Sequence, residues 1–228
     1  MTQPNFSDIR HWIFDLDNTL YPRRCDLFAQ IDVKMTQFVS ELLDLPHAEA
    51  RLKQKQYYRD HGTTLQGLMV NHGMKPQKFL DAVHDIDYSP VSESKELRAA
   101  LEALPGQKLI FTNGDVPHAE RTTKALGIDG CFDGIFDIVA ADFLPKPAAK
   151  PYEQFILMFD VDPKKAAMFE DLPRNLAVPK QMGMRTVLVV DDAFDANAAE
   201  AWETGGRDDG HIDHVSNDIA QFLHGVLK

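Results

Sequence analysis

Asp15 and Asp17 stand two residues apart at the end of the apolar run in His11-Trp-Ile-Phe-Asp-Leu-Asp-Asn-Thr-Leu20. Two carboxylates at the end of a buried strand repel one another, so a cation or a reaction must offset the pairing. Polar groups gather at other apolar runs too: Thr112-Asn-Gly-Asp115 follows one, and Glu170-Asp171 with Asn175 follows another. Pro145-Lys-Pro-Ala-Ala-Lys150 precedes that second run. Carboxylates supply nucleophiles, proton carriers and oxygen ligands for hard cations, while hydroxyl and ammonium groups hold anionic oxygens. Plain structural readings stand beside these. Asp15 and Asp17 also suit solvent-facing strand ends, Thr112 a turn, Asp171 a helix N-cap and Glu170 an exposed position.

The elements that must position these residues follow from the hydrophobic pattern. Strands are expected at Trp12–Phe14, Leu109–Phe111, Ala166–Phe169, Thr186–Val190 and Ile212–Val215. Asp115 with Pro117 opens a helix that Gly127 closes, and a second helix runs from about Pro173 to Gly183. Ser216 is expected to cap a last helix ending near Leu227. Strand and helix alternating at this rhythm give βαβ units, hence an α/β, Rossmann-like parallel sheet whose ligands bind beyond the C-terminal strand ends.

Between the first two strands the rhythm breaks. Leu27, Ile31, Met35, Phe38, Leu42 and Leu45 recur every three or four residues, one face of a helix. Helical patterns follow at His47–His61, Thr64–His72 and Pro76–His84. An inserted all-helical domain over residues 22–90 is expected, with the core at 1–21 and 91–228 and hinges near Tyr21–Arg24 and Ile86–Ser92. Arg23 and Arg24 are read either as solvated hinge charges or as phosphate contacts.

The chain has 228 residues, 44% hydrophobic and 26% charged, with a net charge of -11. That charge argues against a nucleic-acid partner while leaving room for a small anionic substrate. Cys25 and Cys131 are expected to be free thiols. The first ten residues lack a signal-peptide layout and no segment has the apolar length of a membrane span, so a cytoplasmic protein without a membrane partner is expected. Nine histidines show no metal-finger spacing. Those other than His61 and His72 are expected to take no part in catalysis.

Together the strand-end residues resemble the four signature motifs of the haloacid dehalogenase-like hydrolase superfamily, most of whose members are phosphatases. Asp15, Asp17 and Thr19 meet the DxDxT motif, Thr112 the hydroxyl motif, Lys146 or Lys150 the lysine motif and Glu170-Asp171 the acidic motif. Lys146, Pro147 and Tyr152 fit the family spacing Lys-Pro-x-Pro-x-x-aromatic, although Ala149 departs from the second proline, and Lys146 is preferred. The resemblance implies that Asp15 attacks phosphorus to form an aspartyl-phosphate, and that Asp17 protonates the leaving alkoxide and later activates water. It implies Mg²⁺ on the Asp15 carboxylate, the Asp17 backbone carbonyl and the Asp171 carboxylate, with Glu170 a less secure ligand. Thr112, Lys146 and backbone N–H groups near Asn113 and Gly114 would hold the phosphoryl oxygens. The namesake dehalogenases lack the second aspartate, so Asp17 favours a phosphatase.

The segment Tyr57-Tyr-Arg-Asp-His-Gly-Thr-Thr-Leu-Gln-Gly-Leu68, with "FDLDNTLYP" and "LPKP…YEQF", resembles the pyrimidine 5′-nucleotidase branch. That implies a pyrimidine nucleoside monophosphate as substrate. Thr63 and Thr64 would then reach base or sugar, or else they cap the next helix. Alternatives of the same fold are a phosphatase or mutase of sugar phosphates or other small esters, and a 2-haloacid dehalogenase. Oligomeric state is not legible.

Overall fold

The computed structural model describes residues 6–191 and 210–227; the expected core range includes residues 1–5, 192–209 and 228, which lie outside them. Six strands form one parallel sheet: β1 (His11–Phe14), β2 (Gln107–Phe111), β3 (Gly134–Phe136), β4 (Ala166–Glu170), β5 (Arg185–Val189) and β6 (His214–Ser216). Their order, β3-β2-β1-β4-β5-β6, is that of the doubly wound Rossmann plan, and it reverses direction between β1 and β4. Side chains alternate across the sheet. Trp12, Phe14, Ile110 and Phe169 enter one core layer, and Ile13, Leu109, Phe111 and Met168 enter the other. Burial on both faces explains why β4 reads as an unbroken buried run.

Helices cover both faces. α5 (Lys95–Ala103), α6 (Val116–Ala125) and α9 (Ile219–Val226) send Leu101, Ala119 and Leu223 into the first layer. α7 (Ala149–Phe159) sends Tyr152 and Phe155 into the second. The last helix of this set, α8 (Ala177–Met182), is shorter than the sequence pattern implies, because Pro173–Leu176 forms a 3-10 turn instead. Pro179 has no N–H to bond the Asn175 carbonyl, and the Tyr152 hydroxyl donates to that carbonyl at 2.7 Å. Ser216 does not cap α9; it ends β6, and the Asp218 side chain accepts from the backbone N–H of Gln221.

Between β1 and β2 lie α1 (Leu27–Leu43), α2 (His47–His61), α3 (Thr64–His72) and α4 (Pro76–Val83). They pack around Ile31, Phe38, Tyr57, Leu68, Phe79 and Val83, with Ile138 of the sheet layer joining them. Gly67 permits the close approach of α2 and α3, since a Cβ there would fall 2.4 Å from Tyr57 Cβ. The expected apolar face of α1 stops short: Leu42 is 38% exposed, and left-handed Asp44 ends the helix before Leu45. Cys25 and Cys131 are free thiols. Among the described residues no helix is long and apolar enough to cross a membrane.

Candidate functional site

Register places the polar residues. Phe14 pairs with Ile110 on one side and Phe169 on the other, so Asp15, Thr112 and Glu170-Asp171 emerge at one edge beside the switch point. Backbone bonds from Asp15 N to Phe169 O at 2.9 Å and from Thr112 N to Phe136 O at 3.0 Å fix their starting points. Beyond Asp17 the chain turns through Asn18 in the left-handed region, φ 59°, where a short polar side chain is tolerated. That turn brings Thr19 back, and its hydroxyl donates to Asp15 Oδ2 at 3.1 Å.

Lys146 holds the other oxygen. Its buried Nζ donates to Asp15 Oδ1 at 2.6 Å, to the Phe111 carbonyl at 2.9 Å and to Glu170 Oε1 at 3.2 Å. Lys150 is exposed, 3.7 Å from Asp142, and lies outside this cluster. Asn113 braces the lysine through its backbone: Asn113 Oδ1 accepts from Lys146 N at 2.9 Å. The Gly114 N–H donates to Thr112 Oγ1 at 2.9 Å and is thus engaged within its own turn.

Glu170 is buried and fully engaged. Lys146 and Asn175 donate to Oε1, while the backbone N–H groups of Asp171 and Leu172 donate to Oε2 at 2.7 and 3.3 Å. Asp171 accepts from Arg23 Nη2 at 2.8 Å, whereas Arg24 is exposed. Ligand atoms of Asp15, Glu170 and Asp171 all lie within 4.8 Å of one another. Four acids (Asp15, Asp17, Glu170, Asp171) thus face two fixed cations, Lys146 and Arg23. Burial and the charge of Glu170 push Asp15 up to about 7 against the pull of Lys146, and they push Asp171 well above its ordinary value. Burial would lower Lys146, but Asp15 and Glu170 outweigh it and hold the ammonium charged. An all-oxygen, over-negative buried cluster fits a hard divalent cation.

Asp17 has a different setting. Its Oδ1 accepts from the Tyr21 hydroxyl at 2.5 Å and lies 2.8 Å from His118 Nε2. Burial would raise its pKa, yet His118 and Tyr21 outweigh burial and leave it below its ordinary value. His84 stacks on His118, ring centroids 4.5 Å apart, and its Nδ1 lies 2.9 Å from Asp115 Oδ1. Sequence reasoning gave neither histidine a place here. His118 carried one usable signal, its position in the first turn of the helix that follows a strand-end motif. His84, at the end of an inserted helix, carried none.

A cavity of about 140 Å³ joins Asp15, Asp17, Thr112, Asn113, Gly114, Lys146, Glu170 and Asp171 to the insertion, where Thr63 and Thr64 also line it. Thr63 Oγ1 accepts from Gln66 N at 3.1 Å and so caps α3. The far wall is apolar, with Phe28, Ile31, Leu65, Phe79 and Val83, and is joined by Asp32, Gln54 and Lys55. The Arg174 guanidinium stacks over the Tyr58 ring at 4.9 Å and donates to its hydroxyl, tying the sheet layer to α2.

Known proteins share this plan. The chain is 29% identical over 195 residues to Phosphate metabolism protein 8 of Saccharomyces cerevisiae, a match covering 78% of the chain and 60% of that protein's length. An L-2-haloacid dehalogenase from Xanthobacter autotrophicus superposes with a TM-score of 0.60 at 14% identity, covering 95% of this chain and 97% of that one. A HAD phosphatase from Thermococcus onnurineus does so with a TM-score of 0.60 at 16% identity, covering 96% and 98%. At those identities the likeness is one of fold. Residues 9–183 match the family described as haloacid dehalogenase-like hydrolase, and the chain belongs to that family.

Proposed function

We propose that this hydrolase is a Mg²⁺-dependent phosphomonoesterase working through a phosphorylated Asp15, with a pyrimidine nucleoside monophosphate as substrate. The observation that carries the reading is the sharing of one cavity by Asp15, Asp17 and Lys146. A carboxylate to attack phosphorus, a carboxyl to protonate the leaving oxygen and a fixed ammonium are what ester cleavage needs. Asp15 attacks with the oxygen oriented by Lys146 or Thr19; Asp17, ionised before substrate binds, takes up a proton as the anionic ester arrives beside it and gives that proton to the departing alkoxide. In the second step Asp17 takes a proton from water, which attacks the phosphorylated Asp15. Thr112 turns its hydroxyl proton toward the phosphoryl oxygens, and Lys146 offsets their charge. The Asp15 and Asp171 carboxylates and the Asp17 backbone carbonyl are the proposed ligands of Mg²⁺, which supplies further neutralisation of the phosphoryl group when bound. Glu170, whose oxygens are already engaged, braces Lys146 and the Asp171 turn.

Residues 22–90 form the cap in this reading, and the cap selects the leaving group. The "YYRDHGTTLQGL" resemblance supports a pyrimidine nucleotide, and the yeast relative's printed name supports phosphate chemistry. A panel of nucleoside monophosphates, sugar phosphates and a 2-haloacid, assayed with Mg²⁺ and with EDTA, tests it. UMP or CMP should lead, EDTA should silence them, and Asp15→Asn should abolish turnover. Sugar phosphates leading would overturn the substrate, and halide release without phosphatase activity would overturn the reaction.

A further inference from the structure

Asp17 is gripped by one oxygen. Oδ1 accepts from Tyr21 at 2.5 Å and lies 2.8 Å from His118 Nε2, and two donors fill the two in-plane lone pairs of a carboxylate oxygen. Oδ2 points elsewhere. A Cβ built on Gly114 would stand 3.8 Å from Asp17 Oδ2, 3.3 Å from Thr112 Oγ1 and 3.1 Å from His118 Cδ2. The second oxygen therefore faces the Thr112 turn, at the floor of the cavity.

His118 is itself fixed from three directions. Its backbone N–H donates to Asp115 Oδ1 at 3.0 Å, its ring lies within 9° of parallel to His84, and its Nδ1 is 2.9 Å from the Tyr88 hydroxyl. The ring is fully buried. A carboxylate only accepts, so Nε2 carries the proton toward Asp17, and the other nitrogen is left to Tyr88. The origins of these residues matter. Tyr21 stands where the chain leaves the sheet for the inserted helices; His84 closes α4, and Tyr88 lies on the return segment. Both crossings thus converge on one carboxylate oxygen.

We propose that His118 is a positioning residue for Asp17, acting with Tyr21: they occupy Oδ1, so the transferable proton resides on Oδ2, and the aim of the acid depends on how the two crossing segments are seated. This rests on the phosphatase reading. In the step concerned an Asp15 oxygen bonds to phosphorus and the bond from phosphorus to the leaving oxygen breaks. The electron pair stays with that oxygen, and the Oδ2 proton moves onto it, leaving Asp17 a carboxylate. A nitrophenolate departs without that proton, and an alkoxide does not.

The test compares kcat/KM for glycerol phosphate and 4-nitrophenyl phosphate in Mg²⁺, using wild type, Asp17→Asn, His118→Phe and Tyr88→Phe. Asp17→Asn sets the full differential. His118→Phe, which keeps ring volume, should reduce the alkyl ester about 30-fold more than the aryl ester. Tyr88→Phe removes a single oxygen and should shift the ratio the same way by about fivefold, which keeps the test decisive even where His118→Phe does not fold. Equal losses on both esters in folded variants, or no loss in Tyr88→Phe, would overturn the proposal. A wild type that cleaves neither ester would instead overturn the phosphatase reading beneath it.

Discussion

Lys146 Nζ sits 2.6 Å from Asp15 Oδ1, and the lysine side chain is only 1% exposed. Without the ammonium, the buried Asp15 and Glu170 carboxylates would lose the cation that touches them both. Lys146→Ala should therefore lower unfolding free energy by about 3–5 kcal/mol as well as abolish turnover. Lys150→Ala, removing a solvated charge, should change stability by no more than about 0.5 kcal/mol. Urea titration of both variants measures this, and a wild-type midpoint for Lys146→Ala would contradict the expectation.

The excess of negative charge at Asp15, Glu170 and Asp171 makes a prediction that needs no turnover. A cation binding only the folded state raises stability by about 2.7 kcal/mol at a hundredfold excess over Kd. Melting temperature should therefore climb with Mg²⁺ concentration, and Asp171→Asn should flatten the climb. A flat wild-type titration would argue against the proposed metal ligands.

Asp32 on α1 faces Arg51, Gln54 and Lys55 on α2. Burial would raise its pKa, but hydrogen bonds from Lys55, Gln54 and Arg51 outweigh burial and leave it depressed. A depressed carboxyl stabilises the fold above its unfolded pKa of about 4 and loses that contribution as pH falls through the lower folded value. Asp32→Asn should cost stability at pH 7 and cost progressively less below about pH 4 as both proteins become neutral there. Thermal melts across that range decide it; a constant difference at every pH would contradict it.

Thr63 and Thr64 separate capping from contact. Thr63→Ala loses the α3 cap and should cost about 1 kcal/mol of stability. Thr64 is buried on the cavity wall. Thr64→Val keeps its shape, so under the nucleotidase reading it should lower kcat/KM for UMP about tenfold and spare 4-nitrophenyl phosphate. Equal losses on both substrates would make the hydroxyl structural.

Five of the six strands stood out as apolar runs: four lie in the buried middle of the sheet, and the run Ile212–Val215 overlaps the edge strand β6. β3 did not: three residues starting with Gly134, set between Asp133 and Asp137, give no period to read. α1 through α4 were legible to within a residue or so, since helical periodicity and the Gly62 and Gly73 stops agree. The acidic residues were legible because they follow strands in order, and the lysine segment because it stands ahead of the β4 run. The setting of Asp17 was not, because Tyr21, His84, Tyr88 and His118 meet only once the insertion has left the sheet and returned. Nor could spacing show that Glu170 is saturated by Lys146, Asn175 and two backbone N–H groups.

Five α-helices separate Phe14 from Gln107, yet the two strands those residues bound are direct neighbours in the sheet. Closing so long a connection is costly once, but the cost grows only logarithmically, about 0.6 kcal/mol for each doubling of length. Folding speed responds differently, because the β1–β2 pairing must await a contact far away in sequence, while the helices form from near neighbours. The sheet is thus nearly indifferent in free energy to how large the intervening helical block becomes. Such a chain can lengthen, trim or exchange that block over evolutionary time without re-registering the strands that carry Asp15, Thr112 and Glu170.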